Sequence, residues 1–378
     1  MTSRILMATA LALALAACGS KNTKPEAKPA PLPAFKPTAE LRVQWSAGLA
    51  SLEESMLAPA FAGGSVYAAD RKGDLARFDA AGRQVWKVRT LPRLSGGVAT
   101  NGERVVVASS DGDLAAHDAA DGKQVWKISV GGEVLAEPLL TGELAIVRIG
   151  DNKIVAYGLA DGSRRWVYQR AQAPLALRSY GGLSQADGLV FAGFAGGKLV
   201  ALTTAGGLQR WEATVAQPKG SNEIERLTDV VGKPVVQGDM VCVSSFQGRV
   251  ACVERAGGSL RWARDFSSAA GLAADAGNVF LTDSADAVHA LDASTGATVW
   301  KQDKLSLRRL GQPLIVGDTL VVADGMGYVH AMSRRDGGFV ANYRVDSSGV
   351  RAPLQALPNQ AFAVQAVDGD LYALNLRR

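Results

Sequence analysis

Apolar and polar residues alternate along most of this chain of 378 residues. The alternating runs are short, and clusters of Gly and Asp separate them, as in ERVVVASSDGDLAAHDAADGKQVW, which ends at Trp126. A period of two between turn-forming residues predicts β-strands joined by tight turns, and helical periodicity is absent from the body of the chain. The pattern therefore predicts an all-β protein.

The alternating phrase recurs, and a copy typically closes with Gly-x-x-x-Trp. Successive Trp in these copies are 40, 40, 45, 51 and 38 residues apart; they are Trp86, Trp126, Trp166, Trp211, Trp262 and Trp300. Each phrase contains three predicted strands, and a fourth strand that begins near a Pro lies upstream, as in KPVVQG from Lys233. Four antiparallel strands in about forty residues describe one blade of a β-propeller. We interpret the recurring Trp as a structural residue on the outer strand, packed between neighbouring blades.

The third strand of the phrase can be counted eight times, so residues 41–378 are predicted to form an eight-bladed propeller of four-stranded antiparallel blades. The eighth blade has no outer strand of its own before Arg378. The segment LRVQW, with the seventh Trp at Trp45, has no repeat ahead of it and is expected to complete that blade. This pairing would close the ring and remove an exposed sheet edge. In blade seven, Tyr343 is expected to take the place of the Trp.

The first forty residues have a different composition. Residues 1–17 carry one charged side chain, Arg4, and an apolar run too short to span a bilayer, which is typical of an export signal. The sequence LAAC ending at Cys18 resembles a bacterial lipobox, in which the Cys thiol receives a diacylglycerol; an ordinary signal peptide with an incidental Cys is the alternative. Residues 18–40 are rich in Pro and predict a semi-extended tether, long enough to hold the propeller about 60 Å from a membrane.

The candidate chemical groups are few and scattered. The formal net charge is +5 without a basic run, which gives no case for nucleic acid binding. His117, His289 and His330 lie on third strands of different blades, so no catalytic or metal site is expected. Cys242 and Cys252 flank one hairpin and form either a disulfide or two buried free thiols. Because the strand register is uncertain by one residue, we slightly favour free thiols.

Two motifs resemble the repeats of quinoprotein dehydrogenases: GDLYAL from Gly369 and ALDASTG-x-x-x-W ending at Trp300. Enzymes with these repeats use pyrroloquinoline quinone, a calcium ion held by acidic and amide side chains, and commonly a disulfide between adjacent Cys. This chain has no adjacent Cys pair and no legible calcium site. We therefore expect neither a cofactor nor catalysis, and keep a quinone- and calcium-dependent periplasmic dehydrogenase as the alternative.

The lipobox, the tether and the eight blades together resemble the BamB family, lipoproteins of the outer-membrane β-barrel assembly (BAM) machinery. Local motifs carry the same resemblance: EIERLTDV from Glu223, PLALRS from Pro174 and VDSSG ending at Gly349. The resemblance implies a scaffold anchored to the outer membrane by lipid and facing the periplasm. Its implied partners are the POTRA domains of BamA, other BAM subunits and unfolded outer-membrane proteins. A propeller lipoprotein that binds an unrelated envelope ligand is a further alternative.

The connectors that follow Trp166 and Trp211 are the long ones, and they flank blade four. We expect them to stand side by side on one face, where long loops on a rigid scaffold usually bind partners. The candidate residues are Leu175, Leu177 and Arg178 in one connector and Glu223, Glu225, Arg226 and Asp229 in the other. Exposed Leu beside Arg is a typical hot-spot mixture; the alternative is that the Leu pair packs beneath its own loop.

The resemblance implies that Leu175, Leu177, Arg178 and Asp229 hold BamA. The second acidic position of the family pattern, two residues after Asp229, is Val231 in this chain. The acidic half of the implied site is therefore incomplete.

We expect that replacing Cys18 with Ser abolishes lipid attachment, because the acceptor thiol is lost. The measurement is incorporation of labelled palmitate together with membrane fractionation. A Cys18→Ser protein that still takes up palmitate and fractionates with the outer membrane would show that the lipobox interpretation is wrong.

Overall fold

The computed structural model describes residues 28–150, 152–171, 175–178 and 181–377. The predicted signal peptide and Cys18 lie outside these residues. Within them, no helix is long and apolar enough to cross a membrane.

The described residues form strands arranged in eight four-stranded sheets. In chain order the strands are β1 (Glu40–Ala47), β2 (Ala60–Ala62), β3 (Ser65–Ala69), β4 (Asp74–Phe78), β5 (Gln84–Arg89), β6 (Leu94–Thr100), β7 (Arg104–Ser109), β8 (Asp113–Asp118), β9 (Gln124–Ser129), β10 (Leu139–Leu140), β11 (Leu144–Ile149), β12 (Lys153–Gly158), β13 (Arg164–Gln169), β14 (Leu183–Ala186), β15 (Leu189–Phe194), β16 (Lys198–Thr203), β17 (Gln209–Thr214), β18 (Val230–Gln237), β19 (Met240–Ser245), β20 (Arg249–Glu254), β21 (Leu260–Asp265), β22 (Leu272–Ala274), β23 (Asn278–Thr282), β24 (Val288–Asp292), β25 (Thr298–Gln302), β26 (Leu314–Val316), β27 (Thr319–Ala323), β28 (Tyr328–Ser333), β29 (Phe339–Arg344), β30 (Gln355–Leu357), β31 (Ala361–Gln365) and β32 (Leu371–Arg377).

Seven blades take their four strands consecutively, from β2–β5 to β26–β29. The eighth has the order β1-β32-β31-β30, so the N-terminal strand supplies its outer edge. Glu40 pairs with Arg377 and Ala47 with Leu371, in antiparallel register. The predicted eight-bladed fold and its closure by the N-terminal strand are confirmed.

The hydrophobic core lies between the blades. Second strands are buried throughout, as in β3, whereas outer strands alternate exposed and buried residues, as in β5. One cluster joins Tyr67 and Trp86 of the first blade to Val105 and Val107 of the second. The apolar strand faces of the sequence pattern are therefore covered by the next blade, which is how a propeller buries both sides of each sheet.

Within one copy of the repeat, the Trp contacts the following blade, and the Gly contacts the Trp of the preceding blade. Trp211 donates a hydrogen bond from Nε1 to the Arg255 carbonyl of the next blade at 3.0 Å. Its ring lies over Gly258, where a Cβ atom would come within 2.6 Å of the indole. Gly258 also has a φ of +75°, which favours glycine. The same stacking joins Trp45–Gly82, Trp86–Gly122, Trp126–Gly162, Trp166–Gly207, Trp262–Gly296 and Trp300–Gly337.

The expectation for Tyr343 is wrong. Ala341 pairs with Ala331 as Trp300 pairs with Ala290 in the preceding blade, so Ala341 holds the Trp position, while Tyr343 is 38% exposed. The reason is topological. A Trp stacks on the turn between the third and fourth strands of the next blade, and blade eight has no such turn because these strands come from opposite ends of the chain.

The slight preference for free thiols is also wrong. Cys242 and Cys252 are directly opposite each other in the β19–β20 register, and both are fully buried. They form a disulfide with a Cα–Cα distance of 4.1 Å. The sequence left the register uncertain by one residue. A slip of one residue would place the two thiols on opposite faces of the blade, so the register decides whether a disulfide can form.

We expect Gly258→Ala to lower the free energy of unfolding by about 3 kcal/mol, because the added methyl strains the backbone and displaces the Trp211 ring. The neighbouring Gly257 is a matched control: its φ is not positive, and a Cβ there meets nothing closer than 3.9 Å. Gly257→Ala should change the same quantity by less than about 0.5 kcal/mol. Urea unfolding measures both. Equal midpoints for the two variants would contradict the stacking role.

Candidate functional site

The strand directions divide the loops between two faces. Neighbouring strands in a blade are antiparallel, so the connectors between blades share one face with the turns between second and third strands. We call this the connector face. For example, Val130 of a connector donates to the carbonyl of Gly112 in the β7–β8 turn at 2.7 Å. The Gly-containing turns between third and fourth strands lie on the other side, the Gly-turn face.

The two longest connectors meet on the connector face. They are residues 170–182, before blade four, and residues 215–229, after it. The Asp229 carboxylate accepts hydrogen bonds from the Leu177 amide at 2.6 Å and from the Gly196 amide at 3.2 Å. It thereby joins both connectors to the β15–β16 turn. The expectation that these loops stand side by side is confirmed.

Asp229 is a positioning residue in this arrangement. It is only 5% exposed, and both of its carboxylate oxygens accept backbone hydrogen bonds. Residues 175–178 are thus fixed from beneath. The carboxylate therefore shapes this surface, and partner binding by Asp229 stays a prediction.

The first connector presents one Leu and one Arg to solvent. Leu175 is 43% exposed, whereas Leu177 is half-buried. Arg178 is exposed and forms an ion pair with Glu133 of the preceding connector, with Nε 3.1 Å from a carboxylate oxygen. Leu177 is therefore partly packed, as the alternative for the Leu pair supposed, whereas Leu175 is not.

The second connector is held by its own polar groups. Glu225 accepts hydrogen bonds from the Ser221 amide at 2.7 Å and the Ser221 hydroxyl at 2.9 Å, and these keep the pKa of the Glu225 carboxyl below its ordinary value. Arg226 donates to the Gly220 carbonyl at 3.3 Å. Both side chains therefore shape the loop. Glu223 is exposed at its tip.

Sequence reasoning overlooked Ile224. This side chain is 67% exposed at the tip of the same loop, between two acidic residues. A large apolar residue without cover on a loop is a signal for binding when a second one stands nearby. The EIER motif shows an apolar residue in a polar loop but not its exposure, and only the charges of the motif were selected as candidates.

A central cavity opens among the inner strands and has a volume of about 470 Å³. Its wall includes the apolar side chains Leu135, Phe246, Leu314 and Leu354, with Leu177 and Arg178 at its edge. Lys233 also lines it and pairs with Glu137 at 2.5 Å. Two of the candidate partner-binding residues, Leu177 and Arg178, therefore line this cavity, which the sequence did not predict.

The His residues do not converge, as expected. His117 hydrogen-bonds the Thr90 hydroxyl at 2.7 Å, and burial lowers the pKa of its imidazole. His289 contacts Asp283 at 2.8 Å and His330 contacts Asp324 at 2.9 Å. Each is buried in its own blade and holds a turn.

An acidic group on the connector face was not foreseen, because its members are distant in sequence. Oxygens of Asp346, Asp368 and Asp370 lie within 4.8 Å of one another. Burial and the two neighbouring carboxylates raise the pKa of Asp368. Burial and the same acidic group raise the pKa of Tyr372 to about 12. Asp346 and Asp368 also accept hydrogen bonds from the amides of Ser348 and Asp370, so the group serves its turns.

Comparison with known proteins finds relatives over nearly the whole chain. The family profile described as outer membrane protein assembly factor BamB matches residues 71–302. The chain is 38% identical over 362 residues to the outer membrane protein assembly factor BamB of Bordetella pertussis, covering 95% of this chain and 93% of that protein. It is 44% identical over 349 residues to that of Pseudomonas aeruginosa, covering 91% and 92%.

Solved structures share the fold. BamB from Moraxella catarrhalis matches with a TM-score of 0.81 at 24% identity, covering 89% of this chain and 99% of that chain. A quinohemoprotein alcohol dehydrogenase from Comamonas testosteroni matches with a TM-score of 0.71 at 14% identity, covering 88% and 76%. At these identities the likeness concerns the propeller alone.

We expect Asp229→Ala to release residues 175–178 and to lower the free energy of unfolding by about 1–3 kcal/mol, because two amides lose their acceptor. Hydrogen–deuterium exchange should rise in this segment and in the β15–β16 turn. Asp229→Asn, which keeps one acceptor oxygen, should give an intermediate increase. Glu223→Ala, at the exposed tip of the same connector, is the control and should leave exchange unchanged. Unaltered exchange in Asp229→Ala would refute the positioning role.

Proposed function

This chain belongs to the BamB family of outer membrane protein assembly factors, and from that premise we propose that it is a non-catalytic scaffold that binds the POTRA domains of BamA. The observation that carries the proposal is the Asp229–Leu177 hydrogen bond, which joins the two longest connectors into one surface. A scaffold of the BAM machinery needs such a preformed surface, because a loop that is already ordered loses less entropy on binding.

The surface combines exposed apolar side chains with charged ones. Leu175 and Ile224 are exposed apolar side chains on the two connectors, and Arg178 and Glu223 supply charges beside them. Apolar anchors among charged neighbours exclude water from the centre of an interface, and the charges select the partner. We propose Leu175, Leu177 and Arg178 as the main contacts with BamA, Ile224 and Glu223 as a second contact, and Asp229, Glu225 and Arg226 as the residues that shape the loops.

The role at the membrane follows from the family. Its members assemble outer membrane proteins, so this protein acts at the outer membrane. We propose that a lipid on Cys18 holds it there, on the periplasmic side, with residues 18–40 as the tether. Unfolded outer-membrane proteins and the other BAM subunits are proposed as further partners.

The proposal of a scaffold without catalysis is supported by how the titratable groups of the connector face are used. Asp229, Glu225, Arg178 and Lys233 each hold a loop or pair with a neighbouring connector. The buried His residues are likewise engaged with turns of their own blades. These groups stabilise a surface, which is the chemistry that a docking platform requires.

We expect the triple variant Leu175→Ala, Leu177→Ala and Arg178→Ala to abolish co-purification of BamA from detergent-solubilised outer membrane. The reason is loss of an exposed apolar anchor together with its neighbouring charge. The melting temperature should shift by no more than about 3 °C, because Leu175 and Arg178 are exposed.

The matched control replaces Leu307 and Arg309, an exposed Leu and Arg in the connector before blade seven on the same face. This double Ala variant should retain BamA. Retained binding by the triple variant would refute the proposed contacts, and loss of folding would show that the loop is structural.

A further inference from the structure

Part of the Pro-rich tether lies on blade seven. Ala30 donates its amide hydrogen to the Ser306 carbonyl at 2.9 Å, and its own carbonyl accepts from Arg308 Nη1 at 3.0 Å. Farther along, the amides of Thr38 and Ala39 both donate to the Val340 carbonyl, at 3.0 and 3.2 Å. Residues 30–39 are therefore attached at both ends; we call them the docked segment.

An aromatic contact holds the middle of the docked segment. The Phe35 ring stacks on Phe339 with centroids 5.6 Å apart and planes 28° apart. Phe339 in turn packs edge-on against His330. Phe339 begins β29, the outer strand that lacks a Trp, so the docked segment covers the blade where the repeat is incomplete.

The contact with Ala30 rests on a buried ionic network. Arg308 is 5% exposed, Asp324 and His330 are fully buried, and the side chains of Arg308 and His330 both contact the Asp324 carboxylate, at 2.6 and 2.9 Å. Arg308 also lies over the Tyr328 ring. A guanidinium with its position fixed in this way offers a directed donor to the Ala30 carbonyl.

The docked segment runs from one face of the propeller to the other. Ser306 belongs to the connector before blade seven, on the connector face, whereas Val340 lies at the start of β29, near the Gly-turn face. The chain therefore crosses the blade from one face to the other before β1 returns. Its N-terminal side leaves the propeller on the connector face, the face that carries the proposed BamA-binding residues.

Docking also shortens the length of chain between Cys18 and its first attachment to the propeller. From Cys18 to Ala30 the chain spans at most about 40 Å, against at most about 75 Å from Cys18 to Glu40. Turning the Gly-turn face toward the membrane would require the residues between Cys18 and Ala30 to pass around the edge of the disc. The strands are about 20 Å long, so this route would use about half of the length from Cys18 to Ala30.

We propose that blade seven is a docking site for the tether, and that this docking favours the orientation in which the connector face is toward the membrane. The inference rests on the proposed lipid anchor at Cys18. It adds an orientation to the scaffold: the surface formed by Leu175, Arg178 and Ile224 lies on the side nearer the bilayer, within reach of a membrane-bound partner.

The test uses the full lipidated protein in vesicles of phosphatidylethanolamine and phosphatidylglycerol that contain an acceptor-labelled lipid. A donor dye is placed at Glu223→Cys, on the connector face, or at Ala205→Cys, in the exposed Gly-containing turn of the same blade. Energy transfer to the bilayer should be about two-fold higher from position 223, because the faces are separated by about 20 Å. The lipid occupies Cys18 and the disulfide occupies Cys242 and Cys252, so the dye reacts at the new site.

The docked segment is released by Ala30→Pro with Phe35→Ala, which removes one hydrogen bond and the ring contact without altering the propeller. This variant should lose the difference between the two dye positions. Leu32→Ala with Ala34→Pro makes the same kinds of change at two exposed positions of the segment and should preserve it. Equal transfer from both positions in the parent protein, or an unchanged difference in the released variant, would overturn the proposal.

Failure of the lipid anchor gives a different result. A protein without it would not float with vesicles at all, which would overturn the membrane-facing orientation along with the anchoring of Cys18. Docking is then decided by hydrogen exchange at the amides of Thr38 and Ala39. Exchange at least about ten-fold faster in the released variant than in the control supports the docking site, since opening that costs about 1.4 kcal/mol less raises exchange ten-fold. Equal exchange refutes it.

Discussion

The stacking of a Trp ring on the Gly of the next blade is the contact on which this molecule depends. Each blade is a small sheet with two apolar faces, and it cannot be stable until both are covered. The indole covers one face from the outer strand and its N–H satisfies a carbonyl of the next turn, as Trp211 does with Arg255. Trp45 of the last blade stacks on Gly82 of the first, so the contact also joins the two ends of the chain. Blades seven and eight meet without it, because Ala341 holds the Trp position there.

Because the strands alone maintain a ring of this kind, its connectors can differ in length and sequence. The two connectors around blade four are the longest. They are long, yet they are ordered by one buried carboxylate, Asp229, that accepts amides from two neighbouring segments. Stability and recognition are thus separated in the chain. The strand pattern maintains the disc, while residues such as Leu175 and Ile224 are exposed on loops whose backbone is already fixed.

The fold was predictable from the sequence because its signals are local and repeated. Strand alternation recurs in all eight copies and the Gly-x-x-x-Trp phrase in six of them, so an error in one copy does not alter the count of blades. Tyr343 was misassigned because a Trp is needed only where the next blade offers a turn for it to stack on. Blade eight has no such turn, and Ala341 holds the Trp position of blade seven. The role of Asp229 depends on a contact with Leu177, and Ile224 was missed because exposure is not visible in a sequence. The Pro-rich tether predicted an extended chain, and its attachment to blade seven depends on Arg308, whose orientation only the tertiary structure reveals.

The pairing of β1 with β32 has a consequence for biosynthesis. The strand that emerges first from the ribosome must wait for the strand that emerges last, so blade eight cannot form on a partial chain. A product truncated before Leu371 would leave β1 unpaired and β31 with one open edge, and such edges readily pair with other chains. Completion of the chain is thereby coupled to closure of the ring, because only a chain that includes β32 covers the edges of β1 and β31.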